Sequence, residues 1–333
     1  MNLLATMGPM KLIIPNALPP KAIAESLADA LDSRCPSLVA MINARHASTQ
    51  AWSLQEMGCT PAEGLELLCA GYVAPLNEPL GAGLGPARAG QAPAGERVWI
   101  AEFCSTIIGQ ERTAVVALEH LDLTPSDSDA LTEAARVLFT GSESQIWIEP
   151  LEAGRWRICG NLPAPSRVIS PSALHGRDLS HWWPMDPAWR GWRKLLNEIQ
   201  MLWHEHPVNT ARAEEGKPPI NGVWLYGGAV AGQAMRAGPE KWLKSLTPSA
   251  MAGDWTQWLS AWKRIESEVI ELGTSVATNS ANNSATDKAT TTEIVLTGED
   301  RIVTLTNPPK AWWKSLFNRQ DSNSWRNWWA NQD

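Results

Sequence analysis

The sequence predicts an α+β fold, related to the α/β class. An antiparallel sheet carries packed helices, flanked by a small N-terminal lobe and Trp-rich C-terminal helices. Three observations point there. Between Arg97 and Cys159 the patterning reads β-β-α-β-β. Amphipathic stretches at helical spacing recur before and after that block. Tryptophan is over-represented, with 19 Trp against 3 Phe and 2 Tyr, and fifteen of the 19 lie from Trp182 onward.

Lys11 to Ile14 is a short apolar strand, and residues 20 to 31 place Ile23, Leu27, Ala30 and Leu31 on one helical face. Thr60-Pro61 opens a second helix through Cys69, with Pro at its first position. Residues 75 to 95 are dense in Pro, Gly and Ala, which predicts a long loop or linker bounding the N-terminal lobe. Arg97 to Thr106 and Arg112 to Leu118 make a hairpin about Gly109-Gln110-Glu111. Thr124-Pro125 starts a helix through Phe139, stopped by Gly141. Gln145 to Glu149 and Arg155 to Cys159 make a second hairpin about Ala153-Gly154.

A long helix is predicted from Pro187 to about His206, ended by Pro207. Gly222 to Leu225 is then a short buried strand, with Gly227-Gly228 as a tight turn. Residues 239 to 247 and 254 to 270 read as helices, the second lined by Trp255, Trp258, Leu259 and Trp262. Residues 273 to 292 offer little to bury, so disorder is expected. Glu293 to Leu296 and Arg301 to Leu305 form a last hairpin before a tail carrying Trp312, Trp313, Leu316, Phe317, Trp325, Trp328 and Trp329. That tail either packs on the body, Trp312, Trp313 and Leu316 against the central domain, or presents Trp325, Trp328 and Trp329 to a protein partner or a second copy. The expected domains are 1–95, a lobe and linker; 96–235, the α+β domain; and 236–333, the Trp-rich helical region.

A net charge of −7 argues against nucleic-acid or anionic-membrane partners. No stretch approaches eighteen consecutive apolar residues, so no membrane span is predicted. The first ten residues have no basic leader, and Met10 is an alternative start. Cys35, Cys59, Cys69, Cys104 and Cys159 are odd in number and scattered, which predicts buried thiols in a reducing, cytoplasmic setting. The chain has no G-x-S-x-G elbow, P-loop or helix-opening G-x-G-x-x-G. Gly81-Ala82-Gly83-Leu84-Gly85 has no strand before it and reads as linker. His204 and His206, two residues apart, point to different faces of a helix and make no metal pair.

The most informative run is residues 206 to 227. His206, Pro207, Val208, Asn209, Arg212, Gly216, Pro219, Asn221, Trp224, Leu225 and Gly227 resemble a signature of the cofactor-independent, archaeal-type phosphoglycerate mutases of the alkaline-phosphatase superfamily. Ile220 and Tyr226 depart from it. In that family the segment closes an inserted substrate-side domain and holds no metal ligand. The resemblance implies two divalent ions held by carboxylates and imidazoles around a Ser or Thr phosphoryl acceptor. The first of those ligands would follow the first strand in an Asp-Gly-Met-x-Asp motif. Here Pro15-Asn16-Ala17-Leu18-Pro19 stands there, and no histidine follows His206.

The layout also resembles the RpfE-type bacterial regulatory proteins, a metal-free offshoot of that lineage. The elements that carry this are Tyr72-Val73-Ala74-Pro75-Leu76, Trp99-Ile100-Ala101-Glu102, the insert-like region and the Trp-rich tail. Where many of those relatives have Asp-Pro-Val-His, this chain has Phe103-Cys104-Ser105-Thr106. The expected function is therefore a non-catalytic regulatory or ligand-sensing protein without cofactor or metal. The alternative is an active mutase-like phosphotransfer enzyme with altered or partner-supplied residues. Candidate contacts for a small anionic ligand are Arg212, Asn209, His206 and Asn221 in the signature run. Arg177 and His175 join them from the Ser170–Arg177 loop.

Overall fold

A computed structural model describes residues 11–90, 92–109, 113–140, 146–164, 167–183, 185–236, 238, 240–274, 293–307 and 324–330. In chain order the strands are β1 (Lys11–Ile14), β2 (His46–Ala51), β3 (Arg97–Ile108), β4 (Thr113–Val116), β5 (Trp147–Pro150), β6 (Arg155–Cys159), β7 (Gly222–Val230), β8 (Lys241–Trp242), β9 (Glu293–Thr297) and β10 (Arg301–Thr306). The chain divides into two compact units, Met1–Trp52 with Ala237–Asp333, and Ser53–Arg236. This replaces the three consecutive segments expected from sequence. The two ends of the chain build one sheet because β1 lies between β8 and β9, parallel to both.

The first unit holds a mixed sheet in the order β2-β10-β9-β1-β8. The β9–β10 hairpin matches the sequence reading, and β10 pairs with β2 on its other side. β1 and β9 are apolar on both faces, as strands covered from both sides must be. Helices Lys21–Arg34, Pro36–Asn43 and Trp255–Thr274 bury Leu27, Leu31, Leu38, Ile42, Trp258 and Trp262 in one core. Residues 239 to 247 are not the expected helix: Lys241 and Trp242 form β8 instead. Edge pairing with β1 overrides local propensity there.

The tail expectation is also corrected. Trp312, Trp313, Leu316 and Phe317, like the stretch 275–292, lie outside the described residues. Trp325–Trp329 is a short helix whose Trp325 and Trp329 are each 1% exposed inside the first unit's core, not in the central domain. Trp329 Nε1 donates to the Ala24 carbonyl at 3.2 Å, and Arg326 pairs with Asp29 at 2.6 Å and with Asp32. Two of the three indoles expected to form a partner surface are therefore interior, and Trp328 is half-buried.

In the second unit β3 is the central strand. It pairs antiparallel with β6, β4 and β7, and β5 extends the sheet beyond β6. Both predicted hairpins are present; residues 110–112, 141 and 145 lie outside the described set. The Pro125–Phe139 helix, capped by the Thr124 hydroxyl, buries Leu131 and Ala135 and sets Phe139 edge-on to Trp156 of the sheet. Trp156 Nε1 donates to Thr132 Oγ1 at 2.9 Å and Trp203 Nε1 to the Leu131 carbonyl at 3.0 Å, so these indoles are buried without orphaned donors.

Three further expectations are corrected in this unit. The Gly-rich stretch is no linker: Leu80–Gly83 and Leu84–Arg88 are short helical segments, largely buried. A Cβ on Gly85 would lie 1.9 Å from the Val98 carbonyl oxygen, so glycine is what lets this backbone lie against β3. Gly227 and Gly228 sit inside β7 rather than in a turn, at φ +90° and +93°, opposite a register shift between Arg97 and Trp99. Finally, Pro207 both stops the Arg190–His204 helix and occupies the first turn of a new one, Pro207–Glu214, with His206 as its N-cap.

Candidate functional site

The signature run folds into a corner whose polar side chains face the backbone. Asn209 is buried; its Nδ2 donates to the Trp203 and Ile220 carbonyls at 2.7 and 2.8 Å, and its Oδ1 accepts from the Ile220 amide at 2.7 Å. Asn221 forms a matching pair with Thr106, accepting from its amide at 2.6 Å and donating to its carbonyl at 2.9 Å. His206 Nδ1 accepts from the Val208 amide at 3.3 Å. Arg212, 3% exposed, donates to the carbonyls of Pro218 at 2.9 Å, Leu121 at 2.5 Å and Asp122 at 3.4 Å. Its guanidinium, read from sequence as an anion contact, is turned onto backbone oxygens instead.

The second predicted group comes to the same place from the other side. His175 stacks on His120 with ring centroids 4.0 Å apart, and its Nδ1 accepts from the Ala117 amide at 3.3 Å. Arg212 and the His pair thus brace one short segment, Leu118 to Asp122, from both ends. That segment needs bracing, since Asp122 has a φ of +46°. The loop's three polar groups do not converge: Ser170 Oγ donates to Glu63 at 2.5 Å, His175 meets His120, and Arg177 is exposed.

The structure assembles a polar cluster that sequence reasoning missed. Glu63 closes a capping box with Thr60, holding the start of the Pro61–Cys69 helix. Glu63 Oε1 accepts from Arg88 Nη2 at 2.7 Å, and Arg88 Nη1 donates to the Tyr226 hydroxyl at 2.8 Å. That hydroxyl donates to Glu102 Oε2 at 3.2 Å, which also accepts from Arg155 Nε at 2.5 Å. The chain Ser170–Glu63–Arg88–Tyr226–Glu102–Arg155 therefore links the Gly-rich helical stretch to β3, β6 and β7. Glu102 and Arg155 are direct cross-strand partners, a pairing legible only once the register is known.

Electrostatics follow from this burial. Desolvation opposes the charge of Arg88, but Tyr226, Glu63 and Glu102 outweigh it and raise its pKa. Burial pushes the Glu102 carboxyl up, against the pull of Arg155 and Arg88. Burial and the nearby Glu102 raise the Tyr226 hydroxyl. The thiols are also poor nucleophiles: burial and Glu102 push Cys104 up to about 12, and burial raises Cys159 to about 11. Glu63, Arg88, Tyr226, Glu102 and Arg155 are held in a continuous network of hydrogen bonds and ion pairs, which suits an ordered scaffold. His175 differs: burial and then His120 lower its pKa, while Glu119 pulls the other way. Among the described residues no group of three or more His, Cys, Asp or Glu is placed to hold a metal ion. No described helix is long and apolar enough to cross a membrane.

No family model matches the chain. A 67-residue stretch is 30% identical to the 2,3-bisphosphoglycerate-independent phosphoglycerate mutase of Methanosarcina mazei, covering 20% of this chain and 17% of that protein. The match thus spans about a sixth of that relative's length. Among solved structures, a cofactor-independent phosphoglycerate mutase from Thermoplasma acidophilum aligns over 91% of this chain and 90% of its own at 13% identity, with a TM-score of 0.34. A protein from Pyrococcus horikoshii aligns over 96% of this chain and 90% of its own at 12% identity, with a TM-score of 0.41. The sequence relatives support a phosphoglycerate mutase-like ancestry for this chain.

Proposed function

We propose that this chain is a cytoplasmic, non-catalytic regulatory or ligand-sensing protein, of the RpfE type, that keeps the architecture of a mutase-like ancestor without its phosphotransfer chemistry. The observation that carries this reading is the fate of the signature residues. Asn209, Arg212 and Asn221 satisfy backbone groups, as structural residues do. The segment after β1 supports it too. In the resembled mutases a carboxylate motif follows the first strand, and this chain has Pro15, Asn16, Ala17, Leu18 and Pro19 there.

The test is turnover of 3-phosphoglycerate by the purified full chain with added manganese, together with its metal content. We expect no turnover above background and no stoichiometric metal. Manganese-dependent turnover abolished by chelator would overturn the reading in favour of an active mutase-like enzyme.

A further inference from the structure

The second unit contains a cleft walled by indoles. Trp99 of β3, Trp182, Trp183, Trp189, Trp192 and Trp224 of β7 line it, and Arg167 stands at its rim. The empty space is about 420 Å³, part of it open to solvent, yet only about 30 Å³ lies a full water radius from every wall. The cleft is therefore a slot rather than a round cavity. Trp99, Trp189, Trp192 and Trp224 are buried, whereas Trp182 and Trp183 are half-buried. Neighbouring rings do not stack face to face: Trp99 and Trp189 meet edge-on at 82°, and Trp183 is tilted 49° from Trp224.

The polar inventory of the slot narrows what it suits. Arg167 is the sole charged residue among the described lining residues, and one guanidinium N–H donates to the His181 carbonyl at 3.3 Å, which ties the side chain to the rim. The indole N–H of Trp224 is satisfied by the Ile169 carbonyl at 2.9 Å, whereas Trp99 Nε1 is buried without a partner. A quaternary ammonium would gain from the indole faces but would meet an arginine and no carboxylate. A sugar, whose hydroxyls donate as well as accept, would meet no acceptor side chain among the described lining residues. A flat aromatic ring bearing one acidic group satisfies both features, the ring in the slot and the anion at Arg167.

We infer that this slot binds a planar aromatic anion, an aryl carboxylate, sulfonate or phosphate, packed against its indoles and anchored by Arg167. This names a ligand class for the sensing role proposed above and rests on that reading for its biological sense. The binding itself does not depend on it, so failure here leaves the mutase assay to stand alone.

The probe is naphthalene-2-sulfonate, titrated into the full chain by equilibrium dialysis, with N,N,N-trimethyl-1-naphthylammonium as the cationic comparator. We expect saturable 1:1 binding of the sulfonate, about tenfold or more tighter than the cation. Arg167→Glu, at an exposed position, should reverse that order without changing the melting temperature. Trp183→Ala should weaken the sulfonate about fivefold or more, while Trp147→Ala, at an indole 52% exposed outside the slot, should leave it unchanged. Absence of saturable binding, preference for the cation in the unaltered chain, or equal losses from Trp183→Ala and Trp147→Ala would each overturn the inference.

Discussion

The two units bury their large side chains on different terms. In the unit formed by the chain's ends, Trp258 touches Trp255, Trp262 and Trp329 at centroid distances of 5.8 to 6.0 Å, inside a continuous apolar cluster. In the unit of residues 53–236, the sheet buries a run of charges, with Glu102 at 3% exposure between Arg155 and Tyr226. An apolar core loses stability in proportion to the atoms removed. A polar chain fails when one link goes, because the remaining groups stay buried and unpaired. The same fold class thus contains a core that tolerates erosion and one that demands completeness.

The largest expected effect lies in the first core. Trp258→Ala removes the ring at the centre of the cluster and the donor to the Asn16 carbonyl. It should cost about 3–5 kcal/mol by chemical denaturation. Trp329→Ala should fall in the same range, since that indole is equally buried. A loss of less than about 1 kcal/mol for both would show that the Trp cluster is loosely packed and would remove the contrast between the two units.

A glycine comparison sharpens the packing side of the second unit. Gly85→Ala drives a methyl into the Val98 carbonyl and should destabilise by about 1–3 kcal/mol or more. Gly90, unlike Gly85, has a positive φ of +68°, and its added Cβ would meet nothing within 4 Å. Gly90→Ala should therefore cost about 1 kcal/mol, the backbone strain alone. Equal losses at the two sites would mean that the backbone near Gly85 yields, and that the glycine-rich stretch is not pinned to β3.

The ionic chain is tested by the contrast between breaking and replacing it. Glu102→Gln keeps the shape and removes the charge facing Arg155 and Tyr226; we expect a loss of about 1.5–3 kcal/mol. Combining Glu102→Leu with Arg155→Met should recover much of what Glu102→Leu alone loses, because no buried charge is then left unpaired. If the double variant loses the sum of the singles, the two residues do not couple to each other and the all-or-none reading fails.

What was legible from sequence divides along the same lines. Elements whose signal is local were readable: the Thr60-Pro61 start, the Thr124-Pro125 start and the β9–β10 hairpin each carry their cause within a few residues. Elements fixed by distant partners were not. Lys241 and Trp242 become a strand only because β1 is there to pair with, and the Gly-rich stretch becomes helical because β3 and β7 leave a flat backbone to lie on. The site divided likewise. The 206–227 run was conspicuous because its residues are adjacent in sequence, and those residues are structural. Glu63, Arg88, Glu102, Arg155 and Tyr226 are scattered, and only the register of β3 with β6 and β7 gathers them. A usable hint was present in Tyr226, which departs from the resembled pattern where a second Trp stands. Its hydroxyl is the central link of the chain.

The smallest expected effect is the pH response of the His pair. The pKa of His175 is lowered by burial and by the stacked His120, with Glu119 opposing. An unfolded histidine takes up its proton near pH 6.5, so below that value the unfolded chain binds the proton more readily than the folded one. Stability should then decline as pH falls from about 6.5 toward the folded pKa of His175. Glu119 is depressed chiefly by its interaction with His120, so its contribution is present above the ordinary carboxylate pKa and is lost only as pH falls through the folded value. The two windows open at different pH, the histidine's near its ordinary value of about 6.5 and the carboxylate's lower. His175→Gln keeps a polar side chain beside the Ala117 amide and removes the titration. Urea midpoints at pH 7.5 and 5.5 should converge in that variant, the recovered difference being less than about 1 kcal/mol. An unchanged slope would assign the acid sensitivity to other groups and leave the braced Leu118–Asp122 turn indifferent to protonation.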